Sequence, residues 1–403
     1  MSAVEPGRGV LTPWRFVVAF GVISLLADVV YEGARAITGP YLASLGAGAV
    51  LVGVITGAGE AFALVGRLVS GPLADRTRAY WPLTISGYGL TVAAVPLLGF
   101  ATALWSAGAL VIAERAGKAV RGPAKDVLLS HAAAAVGRGR GFAVHEALDQ
   151  VGALIGPLAV AGILVLSAGD YRLAFWALAL PGIAVMVLLL RLRSRAPNPS
   201  GYESATAPIE TDSPTPLPGM FWSYLAFAVT TTLGFSGFGL LAFHLAAHEV
   251  VPVAAIPLVY AAAMVVDAVA ALITGWLYDR IGVRVLLAVP VLGALVPPLA
   301  FQDSAIAAIL GALLWGAVLG VQESTLRATI ADLVPIHRRG TAYGIFAAGA
   351  GVATFAGSAL LAVLYTESLT AVVSITAGIQ LAALLILVSR HLHLGARRAG
   401  APS

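Results

Sequence analysis

The chain has 403 residues, of which 59% are hydrophobic and 11% are charged. An ordinary soluble domain is about one quarter charged, so this chain has too little charge to cover a water-facing surface of its size. Its mean hydropathy of +0.91 agrees, and the composition predicts that most of the protein lies in lipid. The chain contains no cysteine, which excludes disulfides, thiolate metal sites and a cysteine nucleophile.

Twelve apolar stretches are each long enough to cross a hydrocarbon layer of about 30 Å, which takes roughly 20 helical residues. In the first half they are predicted at residues 14–37, 50–73, 82–100, 103–120, 141–166 and 171–190. In the second half they are predicted at residues 220–245, 253–278, 285–301, 305–321, 341–364 and 369–389. The sequence therefore predicts an all-α membrane protein with twelve transmembrane helices.

Residues 191–219 separate the two halves and carry six prolines among serine, threonine and acidic residues. Such a composition is typical of a flexible linker, so we expect a six-helix bundle at 1–190 and another at 220–403 with a short basic tail. Lysine and arginine concentrate on one set of alternating loops and at both ends. The positive-inside rule then places both termini and the linker in the cytoplasm, with the spans in a plasma or inner membrane. These membrane-edge residues account for a pI near 9.5, so no nucleic-acid partner is expected.

A short motif occurs twice, 204 residues apart. Gly71-Pro-Leu-Ala-Asp75-Arg76 follows the second predicted span, and Gly275-Trp-Leu-Tyr-Asp279-Arg280 follows the eighth. A repeat at half the chain length indicates two bundles related by a pseudo-twofold axis along the membrane normal. Glycine lets helices approach closely, and the acid and arginine can pair with neighbouring helix ends. We expect a gating role, with helix capping and control of topology as the alternative.

The twelve spans, the central linker and the repeated motif together resemble the major facilitator superfamily, and within it the antiporters that exchange drugs or metabolites for protons. The resemblance implies alternating access by a monomer around a central site. The first motif copy departs from the family pattern at Thr77, where glycine is frequent, and at Ala79, where a basic residue is common.

Two further features resemble the same family. The sequence around Gly152, Gly156 and Pro157 is similar to its antiporter motif, and Arg115 lies where many members carry an arginine linked to proton transfer. Close helix packing and a permanently paired structural arginine are the alternative interpretations.

Charged side chains are costly at mid-membrane, at about 3 kcal/mol each on insertion scales. The first half nevertheless places many titratable residues within or beside its predicted spans. Spacings of three and four residues put several of them on common helix faces, which indicates a shared polar interior. We predict that they bind substrate and couple protons: Asp28, Glu32, Arg35, Glu60, Glu114, Arg115, Lys118, His145, Glu146 and Asp149.

The second half offers fewer such residues. Asp267, Gln322 and Glu323 are its candidate cavity residues. This asymmetry predicts that the first half couples the ion and the second half supplies softer contacts to the substrate.

The sequence favours a secondary active transporter that exports a small organic molecule in exchange for protons. A proton-coupled importer of a polar metabolite and a metal-ion exporter that uses His145 and nearby acids remain alternatives. No nucleotide-binding loop and no nucleophile elbow occur in the sequence, so we expect neither ATP-driven transport nor enzyme activity. We expect no cofactor and no resident metal; the expected partners are substrate, protons and membrane lipid.

Overall fold

A computed structural model describes residues 11–136, 138–202, 216–334 and 339–399. The regular elements within these ranges are all helical. Eight helices precede the predicted linker: α1 Pro13–Ser44, α2 Ala49–Val65, α3 Arg67–Thr77, α4 Tyr80–Leu98, α5 Leu104–Val136, α6 Arg138–Leu166, α7 Tyr171–Ala177 and α8 Ala179–Arg195. Seven follow it: α9 Gly219–Leu233, α10 Phe238–Ala247, α11 Ile256–Ile281, α12 Ala288–Ala300, α13 Ala305–Leu333, α14 Arg339–Glu367 and α15 Leu369–Ala399. Short 3-10 turns lie at Pro199–Tyr202, Val253–Ala255 and Gly282–Leu287.

Eleven helical segments of the described chain are long and apolar enough to cross a membrane. Three of them are built from two helices each, because the chain breaks between α2 and α3, between α7 and α8, and between α9 and α10. The remaining predicted span, residues 103–120, corresponds to α5. This helix has 33 residues and is therefore about 50 Å long, but Glu114, Arg115, Lys118 and Arg121 interrupt its apolar stretch. The all-helical membrane fold predicted from the sequence is confirmed.

Several helices continue well beyond the predicted spans. α5 runs sixteen residues past position 120 to Val136, and α13 ends at Leu333 rather than at 321. Hydropathy detects only the part of a helix that suits lipid, whereas the backbone hydrogen bonding of a helix continues through polar residues as readily as through apolar ones. Loops expected between the fourth and fifth and between the tenth and eleventh spans are therefore largely helical.

The predicted linker begins later than expected. α8 continues to Arg195, and the next seven residues, 196–202, fold back onto the first half rather than extending freely. The Trp81 indole N–H donates to the Pro197 carbonyl at 3.1 Å, and the Tyr202 hydroxyl donates to the Leu11 carbonyl at 2.7 Å. Buried Ala196 and Pro199 give this segment a packed apolar side, and the flexibility of the linker 191–219 stays a prediction. Residues 203–215 lie outside the described ranges.

Two compact units emerge from the packing. The first unit comprises Met1–Ala34 with Gly66–Ile209, and the second comprises Arg35–Val65 with Glu210–Ser403. The boundary at 209 falls inside the predicted linker, but residues 35–65 group with the second unit. The division into bundles at 1–190 and 220–403 thus stays a prediction.

Glycines explain why α2 joins the second unit. A Cβ atom at Gly53 would lie 2.7 Å from the Ser358 carbonyl oxygen on α14, and one at Gly57 would lie 2.8 Å from the Ser358 Cβ. Contacts of that length allow no side chain, so the two helices meet backbone to backbone.

Candidate functional site

Charged side chains from α1, α5 and α6 are buried together inside the first unit. Six of the titratable groups have exposed fractions of only 4–6%: Asp28, Glu32, Glu114, Arg115, Arg121 and His145. Charges so deeply buried are retained only where they pair with each other or serve a function. With the partly buried Lys118, Lys125 and Asp149, these residues form what we call the charged cluster.

His145 on α6 lies where three other polar side chains converge. Lys125 Nζ lies 2.9 Å from His145 Nε2, Ser24 Oγ lies 3.3 Å from it, and Asp149 Oδ2 lies 3.5 Å from it. A lysine ammonium can only donate, so His145 Nε2 accepts this hydrogen bond and the ring proton resides on Nδ1. The imidazole is therefore neutral in this arrangement and can accept a proton only if Lys125 withdraws.

Asp149 is the carboxylate nearest to this histidine. Its Oδ2 lies 3.9 Å from Lys125 Nζ, while its Oδ1 is buried and makes no hydrogen bond to the described part of the protein. Asp149 also interacts electrostatically with Asp28 across the α1–α6 interface. Two interacting carboxylates therefore share one buried site, where Lys118 and Arg121 also act on them besides Lys125, and their mutual repulsion favours binding of a proton.

The cations of α5 stack on aromatic rings of neighbouring helices. The Arg121 guanidinium lies 4.3 Å from the Tyr88 ring centre, and Lys118 Nζ lies 4.7 Å from the Tyr31 ring centre. Arg121 also interacts electrostatically with Asp28 and Glu114. These rings hold the cations in a desolvated interior without neutralising them, so the carboxylates remain the groups that can change charge.

Glu114 and Arg115 form the pair that their adjacency suggested. Arg115 Nε lies 3.1 Å from Glu114 Oε2, and each side chain is 7% exposed. The second carboxylate oxygen, Oε1, is buried without a hydrogen bond to the described residues. Buried polar atoms in native proteins nearly always find a partner, which makes this oxygen a candidate contact for a bound molecule.

The glycine motif of α6 brings that helix against α1 beside the charged cluster. A Cβ atom at Gly152 would lie 2.8 Å from the Asp28 Cβ, and one at Gly156 would lie 2.6 Å from the Val29 carbonyl oxygen. Pro157 follows within the helix and is buried. The motif therefore sets the separation of the two helices that carry Asp28 and Asp149.

The second unit holds the other candidate residues. Arg35 Nη2 forms an ion pair with Glu60 Oε1, and both side chains are partly exposed. On α11, Asp267 is 3% exposed; on α13, Gln322 is buried and Glu323 is exposed.

The repeated motif lies mostly on exposed helix ends. Asp75, Arg76 and Arg280 are exposed, and Arg280 stacks on Trp276 with 3.6 Å between its Cζ and the ring centre. Gly71 and Gly275 are half-buried. The side chain of Asp279 lies outside the described residues, so the gating role stays a prediction.

Comparison with known proteins identifies a family that matches nearly the whole chain. The family model described as Major Facilitator Superfamily matches residues 23–251 and 219–402. The chain belongs to the major facilitator superfamily. It is therefore a secondary transporter, and the fold expected from the repeated motif is confirmed.

Two mycobacterial proteins are similar to this transporter over nearly its whole length. An uncharacterised protein of Mycobacterium tuberculosis is 56% identical over 390 residues, which cover 96% of this chain and 95% of that one. An uncharacterised protein of Mycobacterium bovis matches equally well.

Three solved transporters share the fold at low sequence identity. A crystal structure of the nucleoside transporter NupG has a TM-score of 0.71 at 11% identity, covering 93% of this chain and 98% of that one. The peptide transporter POT in complex with sulfate has a TM-score of 0.75 at 16% identity, covering 94% and 95%. The human organic anion transporter MFSD10 has a TM-score of 0.63 at 16% identity, covering 94% and 100%.

Seven of the ten predicted transport residues lie in the charged cluster, whereas Arg35 and Glu60 lie in the second unit and Glu146 lies on the surface. Glu146 shares a helix with His145 and Asp149, yet it is exposed. Adjacent helical positions point about 100° apart, so neighbours in sequence do not share a face. Sequence reasoning also missed Ser24, Tyr31 and Tyr88. Ser24 and Tyr31 carried a signal, because each lies about one helical turn from Asp28, whereas Tyr88 carried none.

Proposed function

We propose that this transporter exports a small organic molecule in exchange for protons, and that the charged cluster is where protons act. The observation that carries the proposal is the shared burial of Asp28 and Asp149, with the neutral His145 and Lys125 beside Asp149. A site with two interacting carboxylates holds an additional proton more readily than an isolated acid does.

The distances among Asp149, Lys125 and His145 support a specific order of proton transfer. When Asp149 takes up a proton, its attraction for Lys125 is lost, and the lysine is free to leave His145 Nε2. Asp149 lies close enough to that nitrogen to pass the proton on after a small side-chain movement. Because each step changes the charge inside the first unit, protonation would favour one facing state of the transporter over the other.

The substrate class follows from the charge balance. The charged cluster contains four acids and four permanent cations, so its fixed charges nearly cancel: Asp28, Glu32, Glu114 and Asp149 against Arg115, Lys118, Arg121 and Lys125. A zwitterionic or polar organic molecule fits such a site, because its groups can pair with both the acidic and the basic side chains. Peptides and nucleosides, named for two transporters of the same fold, are examples of this chemistry.

A metal-ion exporter fits less well. Within the described residues, no three His, Asp or Glu side chains are arranged to hold a metal ion. The Nε2 atom of His145 already accepts from Lys125 and is not available to a metal in this arrangement.

Everted membrane vesicles test the proposal directly. A respiration-driven proton gradient would be followed with a pH-sensitive dye while zwitterionic and polar compounds are added. An exporter that exchanges protons dissipates the gradient when its substrate is added, and Asp149→Asn abolishes this response. An importer would instead show substrate-driven proton movement in right-side-out vesicles, and this result would overturn the proposed direction.

A further inference from the structure

A cavity of about 610 Å³ opens in the first unit, and none of its lining residues belongs to the charged cluster. Three basic side chains from three different elements line it: Arg78 after α3, His131 on α5 and Arg193 near the end of α8. The described residues that line it include no acidic side chain. Two arginines and a histidine therefore converge on this space, with no acidic side chain among the described lining residues.

One wall of the cavity is the segment 196–202, which folds back after α8. Pro197, Asn198, Pro199 and Ser200 face the cavity. The bond from the Trp81 indole to the Pro197 carbonyl holds this wall in place, and Trp81 also lines the cavity. This wall of the cavity is thus anchored to α4.

Arg78 reaches the cavity through an unusual backbone conformation. It caps α3 in the left-handed region, with φ 52° and ψ 19°, and its N–H donates to the Ala74 carbonyl at 2.8 Å. Non-glycine residues adopt this conformation rarely, and such residues are frequent at functional sites. The first turn of α4, which begins two residues later, also lines the cavity and adds the partial positive charge of a helix start.

The cavity also lies at a membrane edge. The membrane-crossing segment Tyr80–Leu98 begins at it, and the segment Tyr171–Arg195 ends at it. Its volume is larger than one phosphate needs and is in the range of sites that hold a small organic group. Basic pockets at the ends of transmembrane helices bind the head groups of anionic lipids.

We propose that this cavity binds a phosphate group, supplied by the head group of an anionic phospholipid in the adjacent leaflet. Arg78 and Arg193 contact the phosphate oxygens, and Asn198 and Ser200 accept and donate to the remainder of the head group. Nothing in this assignment depends on the transported substrate or on protons.

The test uses the full chain in nanodiscs of phosphatidylcholine with increasing phosphatidylglycerol. Bound lipid is counted by native mass spectrometry, and the melting temperature is followed in parallel. Arg78→Gln and Arg193→Gln each weaken phosphatidylglycerol binding about tenfold, and the double variant abolishes it. Arg195→Gln is the matched control, because Arg195 is an exposed arginine on the same helix that does not line the cavity.

A second arm separates lipid from soluble phosphate. In pure phosphatidylcholine, inorganic phosphate is compared with chloride at equal ionic strength. Absence of stabilisation by phosphate supports the lipid as ligand, whereas stabilisation that Arg78→Gln removes would overturn the lipid source. Equal loss of phosphatidylglycerol binding in Arg195→Gln would contradict the site itself. Size-exclusion profiles confirm that each variant is folded, and Arg78→Lys, which keeps the charge, should retain most of the binding.

Discussion

A single hydrogen bond determines the protonation state of His145. Lys125 donates to His145 Nε2, and the lysine also lies beside Asp149. The histidine, predicted from the sequence as a proton relay, is therefore held neutral by a neighbour that the sequence did not assign to the site. Helical spacing predicted which charged residues lie close together. It did not predict which of their atoms form hydrogen bonds.

We predict that Lys125→Met destabilises the first unit by about 1–3 kcal/mol, because it removes the hydrogen bond to His145 Nε2 and the cation beside Asp149. The double variant Lys125→Met with Asp149→Leu should recover most of this loss, since no buried charge is then left unpaired. Thermal unfolding in detergent measures both. Strictly additive losses in the double variant would contradict the pairing.

A second residue-scale prediction concerns His244 in the second unit. His244 Nε2 lies 3.2 Å from the Gln302 carbonyl and must donate to it, so Nδ1 accepts from the Tyr365 hydroxyl at 2.8 Å. Tyr365→Phe leaves that buried nitrogen without a donor and should cost about 1–3 kcal/mol of unfolding free energy.

Thr366→Val provides the control for Tyr365→Phe. It removes an exposed hydroxyl that bonds only to the backbone of its own helix, so its melting temperature should stay close to that of the wild type. A drop equal to that of Tyr365→Phe would mean that the His244 network adds no stability.

At the scale of helices, the sequence predicted their number and approximate places, because the apolar length needed to cross lipid is set by simple physics. It did not predict where helices end. The extension of α5 to Val136 and the packing of 196–202 onto the first unit depend on tertiary contacts such as Trp81 to Pro197. Hydropathy does not report such contacts.

The α1–α6 interface gives a prediction at this scale. Gly152→Leu should force the two helices apart beside Asp28, because a Cβ atom there already meets α1. Gly162→Leu on the same helix is the matched control, since no atom lies within 4 Å of the added Cβ. Transport should fall at least tenfold for the first and change little for the second. Equal effects would remove the proposed link between this packing and function.

At the scale of the whole molecule, the half-length repeat led to the correct family, because duplication leaves matching motifs at equivalent helix ends. The division of the chain into two compact units was harder to predict from the sequence. Residues 35–65 belong by sequence to the first half but pack with the second unit through Gly53 and Gly57. The sequence offers many glycines, and only the structure shows which of them meet another helix.

The halves also differ in chemistry, as the charge census predicted. The charged cluster lies in the first unit, whereas the described second unit buries mainly neutral polar pairs such as Thr231 with Gln380, 2.7 Å apart. Transport by this protein should therefore be far more sensitive to neutralised acids in the first unit than to Gln380→Leu. Initial rates in proteoliposomes measure the difference, and a larger loss in Gln380→Leu would contradict the division of labour.

The most direct measurement is the proton exchanged on ligand binding by the purified transporter, followed with a pH indicator in weak buffer. We predict that the wild type releases about one proton per bound ligand. Asp28→Asn and Asp149→Asn should release fewer, while Glu146→Gln, whose side chain is exposed, should behave as the wild type. Equal proton release by all four proteins would contradict the account, because protons would then act outside the charged cluster.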